Sequence, residues 1–126
     1  MYGHKRQVRL GYDEAVQRVR EELQREGFGV LTEINLKETL KKKINVDFDE
    51  YTILGACNPP FAYQALQAER DIGLLMPCNV IVYEQDSKTY VAATLPTITM
   101  GSVKNEKLAP LAKQVEDKLK KAIDSV

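Results

Sequence analysis

The sequence has no tryptophan, one histidine, two cysteines and no excess of either charge, with 18 Lys+Arg against 18 Asp+Glu in 126 residues. Each scarcity excludes something. Charge balance argues against a protein whose main task is neutralising phosphates, so neither nucleic acid nor an anionic membrane is an expected partner. Two cysteines are too few to staple a secreted domain with disulfides. The one histidine, His4, weakens any Ser/His or Cys/His scheme and any imidazole-rich metal site. It reads more simply as an exposed residue opening an edge strand. No apolar stretch follows the N-terminal Met1-Tyr-Gly-His-Lys-Arg, as a signal peptide would require. The most apolar window, Ile72 to Tyr83, is broken by Gly73, Pro77 and Asn79, and it is about half the length of a bilayer span. Catalytic signatures are missing too: there is no glycine-rich phosphate loop, G-x-S-x-G, H-E-x-x-H or C-x-x-C. The expectation is a soluble, cytoplasmic chain forming one domain over residues 1–126. No cofactor and no enzyme class are indicated.

What is present is a regular alternation of strand and helix signals. Lys5 to Leu10 alternates polar and apolar residues and reads as a short first strand. From Gly11, Tyr12, Val16, Val19 and Leu23 recur at helical spacing, with Glu21 and Glu22 on the solvent side, and Gly27 ends the run. Phe28 to Ile34 suits a second strand. Asn35 can cap a shorter helix with Glu38 at the capping-box position. Leu36, Leu40 and Ile44 lie on one side of it, and Lys41-Lys42-Lys43 in its last turn, with Glu38 and Lys42 able to pair. Tyr51 to Cys57 reads as a third strand. Asn58 is a good helix cap and Pro59-Pro60 fit a first turn, so Pro59 to Ala68 should be helical, burying Ala62, Ala65 and Leu66. Cys78 to Glu84 holds four consecutive β-formers, as a strand covered on both faces or close to it would. Gln85 to Lys88 is turn chemistry, Thr89 to Leu95 returns as a hairpin arm, and Pro96 closes it. A last helix runs from about Leu108, carrying Leu108, Ala112, Val115, Leu119, Ala122 and Val126 on one stripe, with Leu111 and Ile123 widening it. A stripe of that width belongs on the chain's own sheet. The order predicts an α+β two-layer sandwich: one mixed or mainly antiparallel sheet with helices packed on one face.

Two segments stand out, Gly55-Ala56-Cys57-Asn58-Pro59-Pro60 and Met76-Pro77-Cys78-Asn79. Each carries a Cys-Asn pair at an abrupt strand boundary. Cys57 precedes a helix N-terminus, where backbone N–H groups can stabilise a thiolate. Two readings follow. The thiols form a reactive or metal-binding pair, or they are small buried apolar residues with each asparagine satisfying a turn. Two thiols are half a tetrahedral set, so no stoichiometric structural metal is expected from one chain. Their separation depends on strand direction, since parallel neighbours would hold them some 20 Å apart and antiparallel ones could bring them together.

Gly27-Phe28-Gly29-Val30-Leu31-Thr32-Glu33-Ile34, Ile53-Leu54-Gly55-Ala56-Cys57-Asn58-Pro59 and Leu74-Leu75-Met76-Pro77-Cys78-Asn79-Val80 resemble the three signature blocks of the domain of unknown function 302 family. The resemblance extends over almost the whole chain and matches the family's cysteine blocks at Cys57 and Cys78. The chain departs at Leu95-Pro96, where members often carry an acidic residue before the proline. The resemblance implies a small α+β fold of bacterial or archaeal origin and a homodimer, and no settled activity. The sequence thus points to a small binding or sensing domain, with Cys57, Asn58, Pro59, Cys78 and Asn79 as the candidate ligand site for an unidentified small molecule. The alternative is a thiol-dependent redox protein with Cys57 as nucleophile and Cys78 as its partner. The first strand, short and at an expected sheet edge, is the candidate for dimer contacts.

Overall fold

Residues 1–126 are described by a computed structural model. Five strands form one sheet: β1 (Gly3–Val8), β2 (Gly29–Asn35), β3 (Tyr51–Cys57), β4 (Cys78–Gln85) and β5 (Lys88–Thr94). Their spatial order is β1-β5-β4-β3-β2, and every neighbouring pair is antiparallel. The mixed alternative is thereby resolved. Only β4 and β5 are joined by a tight hairpin, in which Asp86 and Ser87 both take positive φ (52° and 64°), the twist that suits right-handed strands. The helices are α1 (Tyr12–Arg25), α2 (Leu36–Ile44), α3 (Pro59–Ala68), the single turn α4 (Pro96–Thr99) and α5 (Leu108–Asp124), with a 3-10 segment over Arg70–Leu75. That segment and α4 are too short for hydrophobic periodicity to register.

Strand pleating sorts the sheet into two faces. Leu54, Ala56, Val80, Val82, Val91 and Ala93 point to one face and are buried against Ala15, Val19 and Leu23 of α1 and Leu119, Ala122 and Ile123 of α5. The stripe of α5 therefore lies in its own subunit's core, as its width predicts. Glu22, expected in solvent, is buried beside the core and accepts a hydrogen bond from Arg25 at 2.8 Å. Glu116 of α5 is buried too and accepts from the backbone N–H and hydroxyl of Thr97, at 3.0 and 2.6 Å. Burial alone would raise its pKa, but those two bonds and Lys120 outweigh burial and hold the carboxyl below its usual range.

The opposite face carries no helix comparable to α1 and α5. On it, Tyr51, Tyr83 and Tyr90 stack across three strands with ring centroids 5.2 Å apart at each step. Lys5 donates to the Tyr83 hydroxyl at 2.9 Å and sits 4.9 Å above the Tyr90 ring. The reading of β4 as covered on both faces is corrected accordingly. Val80 and Val82 are fully buried, whereas Ile81 and Tyr83 are only partly so.

β1 is an edge strand, as expected, but it is tied to the helix layer. Arg6 donates to the carbonyls of Ile123, Asp124 and Val126, and His4 meets Asp124 at 2.7 Å. At the other edge, the Asn35 side chain accepts from the Glu38 N–H at 3.1 Å, so the expected cap of α2 is present. The pair Glu38–Lys42 is replaced by Lys37–Glu50 and Lys41–Asp47. No helix is long and apolar enough to cross a membrane.

Candidate functional site

The two Cys-Asn segments meet because β3 and β4 are antiparallel. Ala56 is paired with Cys78 and Gly55 with Asn79, so the C-terminal end of one strand lies beside the start of the other. Cys57 and Cys78 are nevertheless one register step apart. Pleating directs Cys78 to the helix face with Ala56, and directs Cys57 to the opposite side of β3. Both thiols are free and half-buried. They do not form the facing pair a disulfide requires, which removes the geometric basis for Cys78 as resolving partner. Burial, helped by the nearby Cys57, pushes the Cys78 thiol up from the ordinary value near 9 to about 11.

Asn58 departs from its expected role. It is buried, makes no side-chain bond to the first turn of α3, and instead donates its amide to the Glu26 carbonyl at 3.1 Å. It thereby ties the start of α3 to the end of α1. Gly27 fits beneath it at φ 88°, where a Cβ would come within 3.2 Å of the Asn58 amide nitrogen. Pro59 and Pro60 occupy the first two helical positions, and neither has an N–H, so this helix end offers a thiolate little stabilisation. Asn79 points to the helix-free face, opposite Gly55 and away from Cys78. The candidate set is therefore split, with Cys57, Asn58 and Cys78 on one cavity and Asn79 elsewhere; Pro59 is exposed at the start of α3 and lies outside the cavity lining.

That cavity lies between the main core and a second, smaller cluster of Ala65, Ile72 and Leu108. Its volume is about 40 Å³. Cys57, Asn58 and Cys78 border it from the sheet end, Phe61, Ala62 and Ala65 from α3, and Leu108, Leu111, Ala112 and Val115 from α5; Met76 and Met100 come from the adjoining turns. Asn58 is the one side chain with an amide or charge in this wall. Sequence reasoning missed Met76, Met100 and the α5 wall, since nothing in a single sequence shows that Met100 returns to the segment around Met76. Packing on α3 also differs from expectation: Ala65 is buried, Ala62 half-buried and Leu66 exposed. No group of three or more His, Cys, Asp or Glu side chains converges to hold a metal ion.

Antiparallel sheet, one layer of helices and an apolar cavity at the sheet end together define a small α+β sandwich. The three signature blocks converge on that end: Gly27 against Asn58, Thr32 and Pro77 against Gly55, and Ala56 against Cys78. The chain belongs to the family described as domain of unknown function DUF302, which it matches over residues 4–126. It is similar to the crystal structure of an uncharacterized conserved protein DUF302 from Bacillus stearothermophilus. The two are 31% identical, the match covers 99% of this chain and 98% of that one, and the TM-score is 0.93. No curated protein matches the chain.

Proposed function

We propose that the protein is a small binding or sensing domain whose ligand site is the cavity bordered by Cys57, Asn58 and Cys78. The observation that carries this reading is the cavity itself. It is almost wholly apolar, sits between two hydrophobic clusters, and is bordered at the sheet end by Cys57, Cys78 and the buried Asn58. Ligand sites characteristically combine an apolar wall with a few placed polar groups. The redox alternative is weaker, because the Cys78 thiol is held protonated at neutral pH and the pleat separates the two sulfurs. Free thiols suit a reducing compartment such as the cytoplasm. Native mass spectrometry of untagged protein tests the reading. A retained small mass is expected in the wild type and its loss in Ala62→Leu, which narrows the cavity from α3; equal occupancy in both would overturn the assignment.

We also propose a two-fold homodimer whose contact is the helix-free sheet face. The exposed parts of Tyr2 (79%) and Phe48 (44%) come to roughly 250 Å² beside the tyrosine ladder, taking about 200 Å² per large side chain. Tyr51, Tyr83, Tyr90, Ile53 and Ile81 are half-buried and bring the patch to roughly 600 Å² at most on the same scale, below the roughly 800 Å² per partner of a standard interface, so the β1 edge has to contribute as well. The face also carries both signs of charge, with Lys5 and Asp49 on its rim, which a self-complementary contact can use. Tyr2, Gly3 and Lys5 extend it to the β1 edge. Sedimentation should give a dimer for the wild type and a folded monomer for Ile81→Glu. A wild-type monomer, or an unaltered Ile81→Glu dimer, would rule this contact out.

A further inference from the structure

The helix-free face of the sheet holds a second and larger concavity, of about 680 Å³, within the several hundred Å³ typical of sites for small organic molecules. Tyr51 and Tyr83 line it from the sheet, Tyr2 from just before β1, and Phe48 and Asp49 from just before β3. Aromatic side chains and a carboxylate thus meet on one groove.

The tyrosine ladder already holds one cation. The Lys5 ammonium lies 4.9 Å from the Tyr90 ring centroid and 5.6 Å from that of Tyr83. Both distances are inside the reach of about 6 Å over which a ring face attracts positive charge. At the other end no lysine or arginine lies over Tyr51 or Phe48. These two rings are tilted by 44° with centroids 6.2 Å apart, so they form a corner rather than a stack, and Phe48 is exposed. Asp49 follows Phe48 on the same rim. The nearby acids are neutralised, Asp47 by Lys41 at 3.1 Å and Glu50 by Lys37 at 3.0 Å. Asp49, between them in sequence, is exposed and has no ion pair.

We propose that this groove binds a small organic cation of the quaternary-ammonium type, with its head against Phe48 and Tyr51 and beside the Asp49 carboxylate. A primary ammonium carries three N–H donors that need acceptors, and the corner offers ring faces and one acid. A head without N–H groups loses nothing there and keeps both the cation–π attraction and the attraction to Asp49. Lys5 reaches the ladder from β1, on the opposite side. It repels a second positive group and so fixes which end of the groove the head takes. The site is separate from the cavity at the sheet end and exists in the single chain. Tyr2 and Phe48 also belong to the two-fold contact proposed above, so cation and partner copy compete for one surface. By linkage, the bound cation should favour the monomer.

The test is a titration of the untagged protein with choline, followed by amide chemical shifts. It is repeated with choline's neutral isostere, in which a tert-butyl group replaces the trimethylammonium head. Saturable choline shifts centred on residues 48–51 are expected, with the isostere weaker by about tenfold or more. Phe48→Leu and Asp49→Asn, both exposed positions, should each weaken choline binding by about threefold or more. Equal binding of the isostere, unchanged choline affinity in both variants, or no saturable shift would each overturn the site. Sedimentation with and without choline keeps the dimer reading apart. Choline bound to a protein that is monomeric without it, or that stays dimeric with it, keeps the cation site and removes the sheet-face dimer. A dimer that shows no saturable choline shift removes the cation site alone.

Discussion

At the scale of single residues, Asn58 and Gly55 show how local signals acquire their meaning. Asn before two prolines is a strong cap signal, and the helix does begin there. The side chain, however, serves another helix, donating to the Glu26 carbonyl. The two roles need opposite chemistry, since a cap accepts and this bond donates. Asn58→Asp keeps an acceptor and loses the donor, so it should destabilise by about 1 kcal/mol, as Asn58→Ala should. Matching denaturant midpoints for Asn58→Asp and wild type would restore the cap reading. Gly55 is required for a different reason. A Cβ there would collide with Thr32 Oγ1 and lie 2.8 Å from Pro77 Cγ. Gly55→Ala should therefore cost about 1–3 kcal/mol by overpacking, and Thr32→Ala should recover part of it. Chemical denaturation of the three variants measures both effects.

At the scale of elements, α5 and β1 illustrate what periodicity can and cannot establish. The wide stripe on α5 correctly assigns the helix to its own sheet, and Leu119 is fully buried there. Leu119→Lys places an ammonium in that core without a partner and should unfold the protein rather than yield a soluble monomer. Circular dichroism and sedimentation of the variant distinguish the outcomes, and a folded monomer would place Leu119 at an interface instead. The edge position of β1 is also legible, from its length and polarity. Its fastening is not. Arg6 reaches three carbonyls at the end of a helix more than a hundred residues away, and no local pattern encodes that return. The same holds for Glu116, whose charge suggests solvent and whose burial depends on Thr97 in another element; Glu22, by contrast, is satisfied locally by Arg25 three positions on.

For the whole molecule, buried acids with raised pKa values make alkaline stability a sensitive observable. Burial raises Cys78 to about 11 and shifts Tyr12 and Tyr51 upward from the ordinary tyrosine value. A group whose folded pKa lies above its unfolded one contributes stability below the unfolded value and loses it as pH rises through the folded value. Thermal midpoints should thus be flat from about pH 6 to 9 and fall between about pH 9 and 11, with a separate loss in acid as Glu116, whose pKa is lowered, takes up its proton. Cys78→Ala should flatten part of that fall; an identical profile would show that Cys78 is not held protonated by the fold. The α+β class, the strand and helix order and the buried stripe of α5 were determined by the sequence alone, because hydrophobic period, turn residues and caps act within a few positions. That Cys57, Cys78, Met76 and Met100 border one cavity was decided only by tertiary structure, as were the tyrosine ladder and the partner of Asn58. Each depends on which strands pair and in what register, and that choice is made by core packing across the whole chain rather than by any segment of it.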